Sequence, residues 1–224
     1  MPLDIISMDL ELARFNMIEQ QIRPWGVTDS WVLELFEEMP RNLFVSSNQQ
    51  ALAFADLSLP IGKNEAMWQP KIEARVLQAL APRKTERVLE IGTGSGHFTA
   101  LLARCSQHVT SVEIHPEFIE QANTRLLFNK INNIELIEGD GGLGWPSINQ
   151  WDIIVLTGSV AYLPESYLET LAPNGRLIAI VGQEPIMEAQ IYAHDNNGGW
   201  AINSLFETVI RPLTNSEQPS RFNF

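Results

Sequence analysis

The run Val88-Leu89-Glu90-Ile91-Gly92-Thr93-Gly94-Ser95-Gly96 constrains this chain more than any other segment. Arg87-Val88-Leu89-Glu90-Ile91 reads as a buried strand, and a helical pattern over Phe98 to Cys105 succeeds the glycines. A strand that turns on glycines into a helix lets a ligand approach bare backbone at the carboxyl edge of a sheet. The glycine spacing is Gly92-x-Gly94-x-Gly96, with His97 next. The dinucleotide fingerprint places its third glycine one position later, against a pyrophosphate at the helix N-terminus. A carboxylate at Glu90 would also repel a phosphate. A nicotinamide dehydrogenase is therefore disfavoured.

The chain beyond the turn patterns as an open α/β sheet. His108 to Glu113 reads as the next strand, Pro116 to Phe128 as a helix, Ile134 to Glu138 and Asp152 to Leu156 as strands. Tyr167 to Leu171 reads as helical. Gly175 to Val181 reads as a strand after the turn-forming Pro173-Asn174-Gly175. Gln190 to Ala193, the Asn196-Asn197-Gly198-Gly199 turn and Ala201 to Ile210 form a hairpin signal. Before residue 80 the spacing is mainly helical: Leu10, Ala13, Met17 and Ile18 recur at one interval, and Val32, Leu33, Leu35 and Phe36 come after a plausible cap at Thr28-Asp29-Ser30. A further helix is predicted from Pro70 into Leu80. The expected fold class is thus α/β and Rossmann-like, a doubly wound, mostly parallel sheet with an antiparallel C-terminal strand and an N-terminal helical appendage. The expected segments are residues 1–80 on the substrate side, 81–214 as the cofactor-binding core, and 215–224 as a tail that is either flexible or a cap over the site.

Two more acids sharpen the ligand. Glu113 closes the second strand about twenty residues beyond the turn, where a carboxylate accepts hydrogen bonds from ribose hydroxyls. Asp140, in Glu138-Gly139-Asp140-Gly141, closes the third strand and is placed to read an adenine amino group. Glu90 suits the positive amino-acid end of S-adenosylmethionine, directly or through water. Together these residues point to that cofactor and to a methyltransferase fold. The expected cofactor residues are Glu90, Gly92, Thr93, Gly94, Gly96, Glu113, Ile114, Asp140 and Gly141, with Ile114 packing on the adenine. Methyl transfer is an in-line displacement at an activated sulfonium, so no dedicated acid, base or metal is required, and no catalytic residue is assigned. His97, His108, His115 and His194 are scattered and read as surface or packing histidines. Gly158-Ser159 lacks the flanks of a nucleophile elbow. No metal site is expected.

The net charge of −12, without a basic patch beyond Pro82-Arg83-Lys84, argues against nucleic-acid binding. No apolar run is long enough to cross a bilayer, and the Met-Pro-Leu-Asp-Ile-Ile start does not read as a secretory signal. Cys105 is the one cysteine, which excludes an intrachain disulfide and suits a reducing, cytoplasmic setting.

Asn16-Met17-Ile18-Glu19-Gln20-Gln21-Ile22 with Gly26-Val27 and Asp29 stands near the start, then Met39-Pro40-Arg41-Asn42-Leu43-Phe44-Val45, and Ala53-Phe54-Ala55-Asp56 with Leu59-Pro60-Ile61-Gly62. Leu89 to Gly96, Ser111-Val112-Glu113, and Gly139-Asp140-Gly141 with Gly144-Trp145-Pro146 come after them. Over about Asn16 to Leu213, these segments together resemble the protein-L-isoaspartate O-methyltransferases. The resemblance implies S-adenosylmethionine as cofactor and methylation of a carboxylate on damaged aspartyl residues, a protein-repair reaction on a peptide or protein acceptor. The family's acceptor loop usually reads Thr-Ile-Ser-x-Pro; here Ala66-Met67-Trp68-Gln69-Pro70 stands. Aligned on Gly62, Gln69 and Pro70, Trp68 takes the serine's place and Ala66 the threonine's. The family's Thr-Ala-Ala-Ala after the fourth strand is replaced by Thr157-Gly158-Ser159-Val160. Met67, Trp68, Gln69 and Thr157 are the expected acceptor-pocket residues. Two alternatives stay open: a methyltransferase for an aromatic or small-molecule acceptor, and a non-catalytic S-adenosylmethionine-binding module. Oligomeric state has no signal in these residues.

Overall fold

The computed structural model describes residues 2–195 and 198–218. Its N-terminal part is helical, as the spacing predicts. Helix Pro2–Asn16 (α1) passes into a π-helical turn, Met17–Ile22, which buries Met17, Ile18 and Ile22. Helix Ser30–Glu38 (α2) starts after Asp29, whose carbonyl accepts from the Val32 and Leu33 amides. The Asp29 carboxylate makes no backbone cap; it accepts instead from the Trp31 indole at 3.3 Å. Between this helix and the next lies a hairpin that helical spacing does not announce. Strands Leu59–Gly62 (β1) and Glu65–Met67 (β2) pair antiparallel. Lys63 and Asn64 between them both have positive φ, which gives a two-residue loop the twist that a hairpin needs. Helix Pro70–Leu80 (α3) begins on its proline, which lacks only an amide the first turn leaves unbonded.

The main sheet comprises strands Arg87–Ile91 (β3), His108–Glu113 (β4), Ile134–Glu138 (β5), Trp151–Val160 (β6), Leu171–Gln183 (β7), Ile186–His194 (β8) and Trp200–Thr208 (β9). The helices are His97–Cys105 (α4), Pro116–Phe128 (α5) and the short Glu165–Glu169 (α6). Strand order is β5-β4-β3-β6-β7-β8-β9. The first five of these run parallel, and β8 is antiparallel to both β7 and β9. The Asn196 and Asn197 part of the expected hairpin turn lies outside the described residues. Its far side closes through the Gly199 amide on the Asp195 carboxylate at 2.7 Å.

Burial on both faces explains why the central strands read as unbroken apolar runs. Val88, Ile153, Val155 and Ile178 join one core with the N-terminal helices, including Met17, Phe36 and Leu77. Leu89, Ile91, Ile154, Leu156 and Leu177 join a second core with Trp151, Tyr167 and Leu171.

The short helix is Glu165–Glu169 where Tyr167 to Leu171 is expected, and β8 begins at Ile186 where Gln190 is expected. Two further boundaries differ for identifiable reasons. Strand β7 begins at Leu171 and carries Pro173-Asn174-Gly175 within its span, so that triplet forms no separate turn. The pairing absorbs it in an irregularity between Trp151↔Leu171 and Ile153↔Arg176. Strand β6 runs four residues past Leu156, with a second irregularity between Val155↔Ile178 and Ser159↔Ile180. Leu156, Thr157 and Gly158 occupy that bulge.

Candidate active site

The strand order changes direction at β3, with β4 on one side and β6 on the other. Ligands of open α/β sheets bind at the carboxyl ends of strands flanking such a switch. A cavity of about 480 Å³ lies there, reached by Gly92, Glu113, Asp140, Thr157 and Trp68. Its glycine turn is shaped by close approach. Gly92 has φ +99°, and a Cβ there would collide with the Thr157 Oγ1. Gly96 has φ +83° and would press a Cβ to 3.0 Å from that of Ala122, so it sets the packing of α4 on α5.

The carboxylates hold this turn. Glu113 Oε2 accepts from the Gly94 amide at 2.8 Å, and Oε1 accepts from the His115 amide at 3.0 Å. Its side chain also lines the cavity, as do Ile114, Asp140 and Gly141. Asp140 Oδ1 accepts from the Gly142 amide at 2.9 Å, and Oδ2 from the Asn215 side chain at 2.7 Å. Tyr167 donates to the Gly141 carbonyl at 2.5 Å from a buried position. Glu90 is fully buried under the turn and is not part of the cavity wall. Its Oε2 accepts from Thr99 at 2.5 Å and Ser111 at 2.6 Å, and Ser111 also meets Thr93 at 2.6 Å. Its Oε1 has no partner among the described residues. Burial pushes its carboxyl up to about 8 against the pull of the two hydroxyls, so it holds its proton at neutral pH.

The expected acceptor residues separate. Trp68 lines the main cavity while packing on Phe98 at 5.4 Å between ring centroids, so it is both wall and core. Met67 and Thr93 border a smaller cavity of about 50 Å³ beside it. Gln69 lines neither cavity; its carbonyl starts α3 by accepting from the Ile72 and Glu73 amides. Thr157 lines the main cavity, but its hydroxyl is directed at the turn, 2.8 Å from both the Ile91 and Gly92 carbonyls.

Behind Trp68 lies a buried network that sequence spacing does not reveal. Arg41, fully buried, donates to the Trp68 carbonyl at 2.7 Å, to the Ala53 carbonyl at 3.0 Å, and to Glu73. Glu73 also meets His97 Nδ1 at 3.0 Å, and His97 Nε2 donates to the Met39 carbonyl at 3.0 Å. Phe36 and Phe44 close the imidazole edge-on. His97 is therefore a packing histidine that ties the N-terminal helices to the glycine turn. Its partners lie 24 and 58 residues away, so no local motif marks them. The last wall is the end of the core segment; of the tail 215–224, which the residues alone leave either flexible or a cap, residues 219–224 lie outside the described residues. Ile210 to Thr214 line the cavity, and Thr214 to Ser216 rest on Gly142.

The cavity fits S-adenosylmethionine. It runs from bare backbone at Gly92 and Gly94, past a carboxylate at a strand end, to a pocket beside Ile114 and Asp140. With its proton on the unpaired oxygen, Glu90 presents a buried O–H of the kind that a bound water satisfies by accepting.

Comparison with known proteins agrees. The chain is similar to the protein-L-isoaspartate O-methyltransferase of Methanoculleus marisnigri, with 40% identity over 169 residues, 75% of this chain and 77% of that one. It is similar to that of a Caulobacter species, with 36% identity over 205 residues, 92% and 94% of the two chains. A solved Plasmodium falciparum protein described as a protein-L-isoaspartate O-methyltransferase, in complex with S-adenosyl-L-homocysteine, shares the fold at a TM-score of 0.77. Its identity is 19%, over 90% of this chain and 98% of that one. The family model for protein-L-isoaspartate(D-aspartate) O-methyltransferase matches residues 13–218. This chain belongs to the protein-L-isoaspartate(D-aspartate) O-methyltransferase family.

Proposed function

We propose that this chain is an S-adenosylmethionine-dependent methyltransferase that esterifies the carboxylate of isoaspartyl residues in damaged peptides and proteins. The observation that carries the reading is that one cavity joins the glycine turn to the wall of Trp68 and Thr157. When bound, S-adenosylmethionine would supply a sulfonium methyl group for in-line transfer to a carboxylate oxygen, with S-adenosylhomocysteine as the leaving thioether and no base needed. The chain's residues have the tasks of holding, orienting and drying. Gly92 and Gly94 admit the cofactor to the backbone, Glu113 takes the ribose hydroxyls, and Ile114 with Asp140 and Gly141 frames the adenine. Thr93 braces the turn through Ser111, Gly96 seats α4, and the unpaired oxygen of Glu90 faces the amino-acid end through a water. Trp68, with Met67 beside it, gives the acceptor side one apolar face, and the Thr157 hydroxyl stiffens the turn. Gln69 acts by starting α3.

No described helix is long and apolar enough to cross a membrane, and the described residues hold no cluster able to bind a metal ion. A cytoplasmic setting and a role in protein repair belong to this proposal. Residues 1–80 would supply the acceptor wall, 81–214 the cofactor core, and residues 215–218 a cover beside Asp140.

A second reading, an aromatic or small-molecule acceptor, is favoured by one observation, the indole of Trp68 in the wall. Calorimetry with S-adenosylmethionine tests the cofactor half, and Glu113→Ala and Asp140→Ala should each weaken binding. Labelled methyl transfer to an isoaspartyl peptide tests the acceptor half. Binding without transfer to that peptide rejects the isoaspartyl reading and leaves the other acceptors or a binding module; no binding at all rejects the whole reading.

A further inference from the structure

The residues lining the main cavity carry four carboxylates, those of Glu65, Glu113, Asp140 and Glu184. Against them stands one lysine or arginine among the described lining residues, Arg211. An anionic acceptor approaching this chain meets a net charge of −12 and then an acidic cavity. Long-range repulsion of that kind lowers the encounter rate unless a local charge offsets it.

Arg211 is held in place by its backbone and left free at its side chain. The Ser159 amide donates to the Arg211 carbonyl at 2.8 Å, and the Leu213 amide donates to the Ser159 carbonyl at 2.8 Å. The Ser159 hydroxyl donates to the Ile210 carbonyl at 3.1 Å. A Cβ on Gly158 would strike the Leu213 side chain, so the glycine lets this segment lie flat against the end of β6. The segment is therefore pinned one residue beyond Thr157-Gly158, on the acceptor wall. The exposed guanidinium makes no hydrogen bond or salt bridge with any described residue. Across from it, Glu65 on β2 is half-buried; burial raises its carboxyl, and Arg211 and then His115 pull it back down. The two charges sense one another without forming an ion pair.

Resting on the carboxylate-methylating function, we propose that Arg211 is the positioning residue that draws the acceptor carboxylate into the cavity, with Glu65 as the opposing charge that limits how tightly anions are held. A neutral acceptor gains nothing from this arrangement. The guanidinium offers paired donors to a carboxylate and cannot lose its proton. It therefore favours the ionised form, which is the nucleophile.

The test uses the full chain and its Arg211→Gln, Arg211→Lys and Glu65→Gln variants. Methyl transfer to an isoaspartyl peptide gives KM and kcat. Fluorescence anisotropy in the presence of S-adenosylhomocysteine gives the peptide Kd, beside the same peptide with that carboxyl converted to an amide. Arg211→Gln should raise KM and Kd for the carboxylate peptide about tenfold and leave kcat within about twofold, the pattern of lost ground-state binding. It should also flatten the salt dependence of KM. The lysine variant should recover part of the loss, and Glu65→Gln should lower KM. Affinity for the amide peptide and for S-adenosylmethionine should not move. An unchanged KM in Arg211→Gln overturns the proposal, as does an equal loss for the amide peptide or a loss confined to S-adenosylmethionine. A parent protein that binds S-adenosylmethionine but neither binds nor methylates the isoaspartyl peptide overturns the acceptor reading, and this proposal with it. That failure is distinct, because it shows in the parent protein before any variant is made.

Discussion

The two walls of the cavity are built by different means. The wall proposed for the cofactor comes from the ends of adjacent parallel strands, and each of its parts lies within a few residues of a strand terminus: Gly92 after β3, Glu113 at the end of β4, Asp140 after β5. Its main bonds are short-range in space and repeat the logic of the sheet, as in Glu113 accepting from Gly94. The wall proposed for the acceptor hangs instead on contacts between distant pieces of chain. Trp68 is fixed from behind by Arg41, Arg41 by Glu73, and Glu73 by His97. One wall is a property of the sheet; the other is a property of how the N-terminal helices dock on it. The first should therefore survive changes that ruin the second.

Arg41→Ala should give the largest effect and is the hardest trial of that independence. Removing the guanidinium leaves Glu73 buried beside His97 and orphans the Trp68 and Ala53 carbonyls. Stripping one partner from a buried ion pair costs about 3–5 kcal/mol. Denaturant unfolding should register that loss. In the fraction that stays folded, calorimetry should find S-adenosylmethionine affinity changed less than the acceptor KM. An equal loss of both would mean that the two walls are one unit.

Glu90→Gln tests the buried support beneath the cofactor wall by pH. The Glu90 carboxyl titrates at about 8 in the folded chain against an ordinary value of 4.5, because burial disfavours its charge. Its folded form thus holds a proton that the unfolded chain has released. The stability from this group is complete below about pH 4.5 and is lost as pH rises through about 8. Glutamine keeps an oxygen for Thr99 and Ser111 and cannot ionise. The variant should therefore gain on the parent, on the order of a few kcal/mol, between about pH 5 and pH 9. Parallel melting curves for parent and variant across that range would refute the burial of an ionisable group at this position.

Trp68→Ser probes the contrast from the acceptor side. The indole is 7% exposed, packed on Phe98 and open to the cavity on another side. Full removal of a core tryptophan costs about 3–5 kcal/mol, and a side chain with one face on a cavity should lose about 2–3 kcal/mol. The hydroxyl restores a donor and an acceptor where the indole offers a donor only. Methyl transfer to an isoaspartyl peptide should persist in the variant with an altered KM, while S-adenosylmethionine affinity stays within about threefold. Calorimetry and a labelled-methyl assay on the same preparation give both numbers.

The difference between the walls also decides how much the residues alone can reveal. Strands β3, β4 and β5 and the helix Pro116–Phe128 are legible to the residue, because apolar runs, glycines and a proline mark their ends. Glu113 and Asp140 are legible as strand-end acids, and the structure places both on the cavity. Glu90 is legible as important but not as buried, since nothing local announces that Thr99 and Ser111 will enclose it. The hairpin at Leu59–Met67 escapes notice because Lys63 and Asn64 are not the glycine-bearing pair that usually signals such a turn. Arg41, Glu73 and Arg211 are invisible as a set. They take their places only after the helices dock and the C-terminal segment returns across β6, and neither event has a periodicity.

That returning segment touches both walls, and it yields the smallest prediction. Ile210 to Leu213 lie along the acceptor side, pinned to Ser159, while Asn215 reaches Asp140 on the cofactor side at 2.7 Å. Asn215 has φ +61°, a left-handed conformation that alanine would resist. Asn215→Gly keeps that conformation without strain, so the change reads the side-chain bond and little else. An exposed hydrogen bond to a carboxylate is worth about 1 kcal/mol or less. The variant should therefore melt within a few degrees of the parent and bind S-adenosylmethionine about two- to fivefold more weakly, because Asp140 loses one of the two groups that orient it. Acceptor KM should stay put, since the Ser159 bonds that hold Arg211 are untouched. A shift in acceptor KM instead would mean that the segment transmits strain between the walls as one strap, and that their independence ends at residue 215.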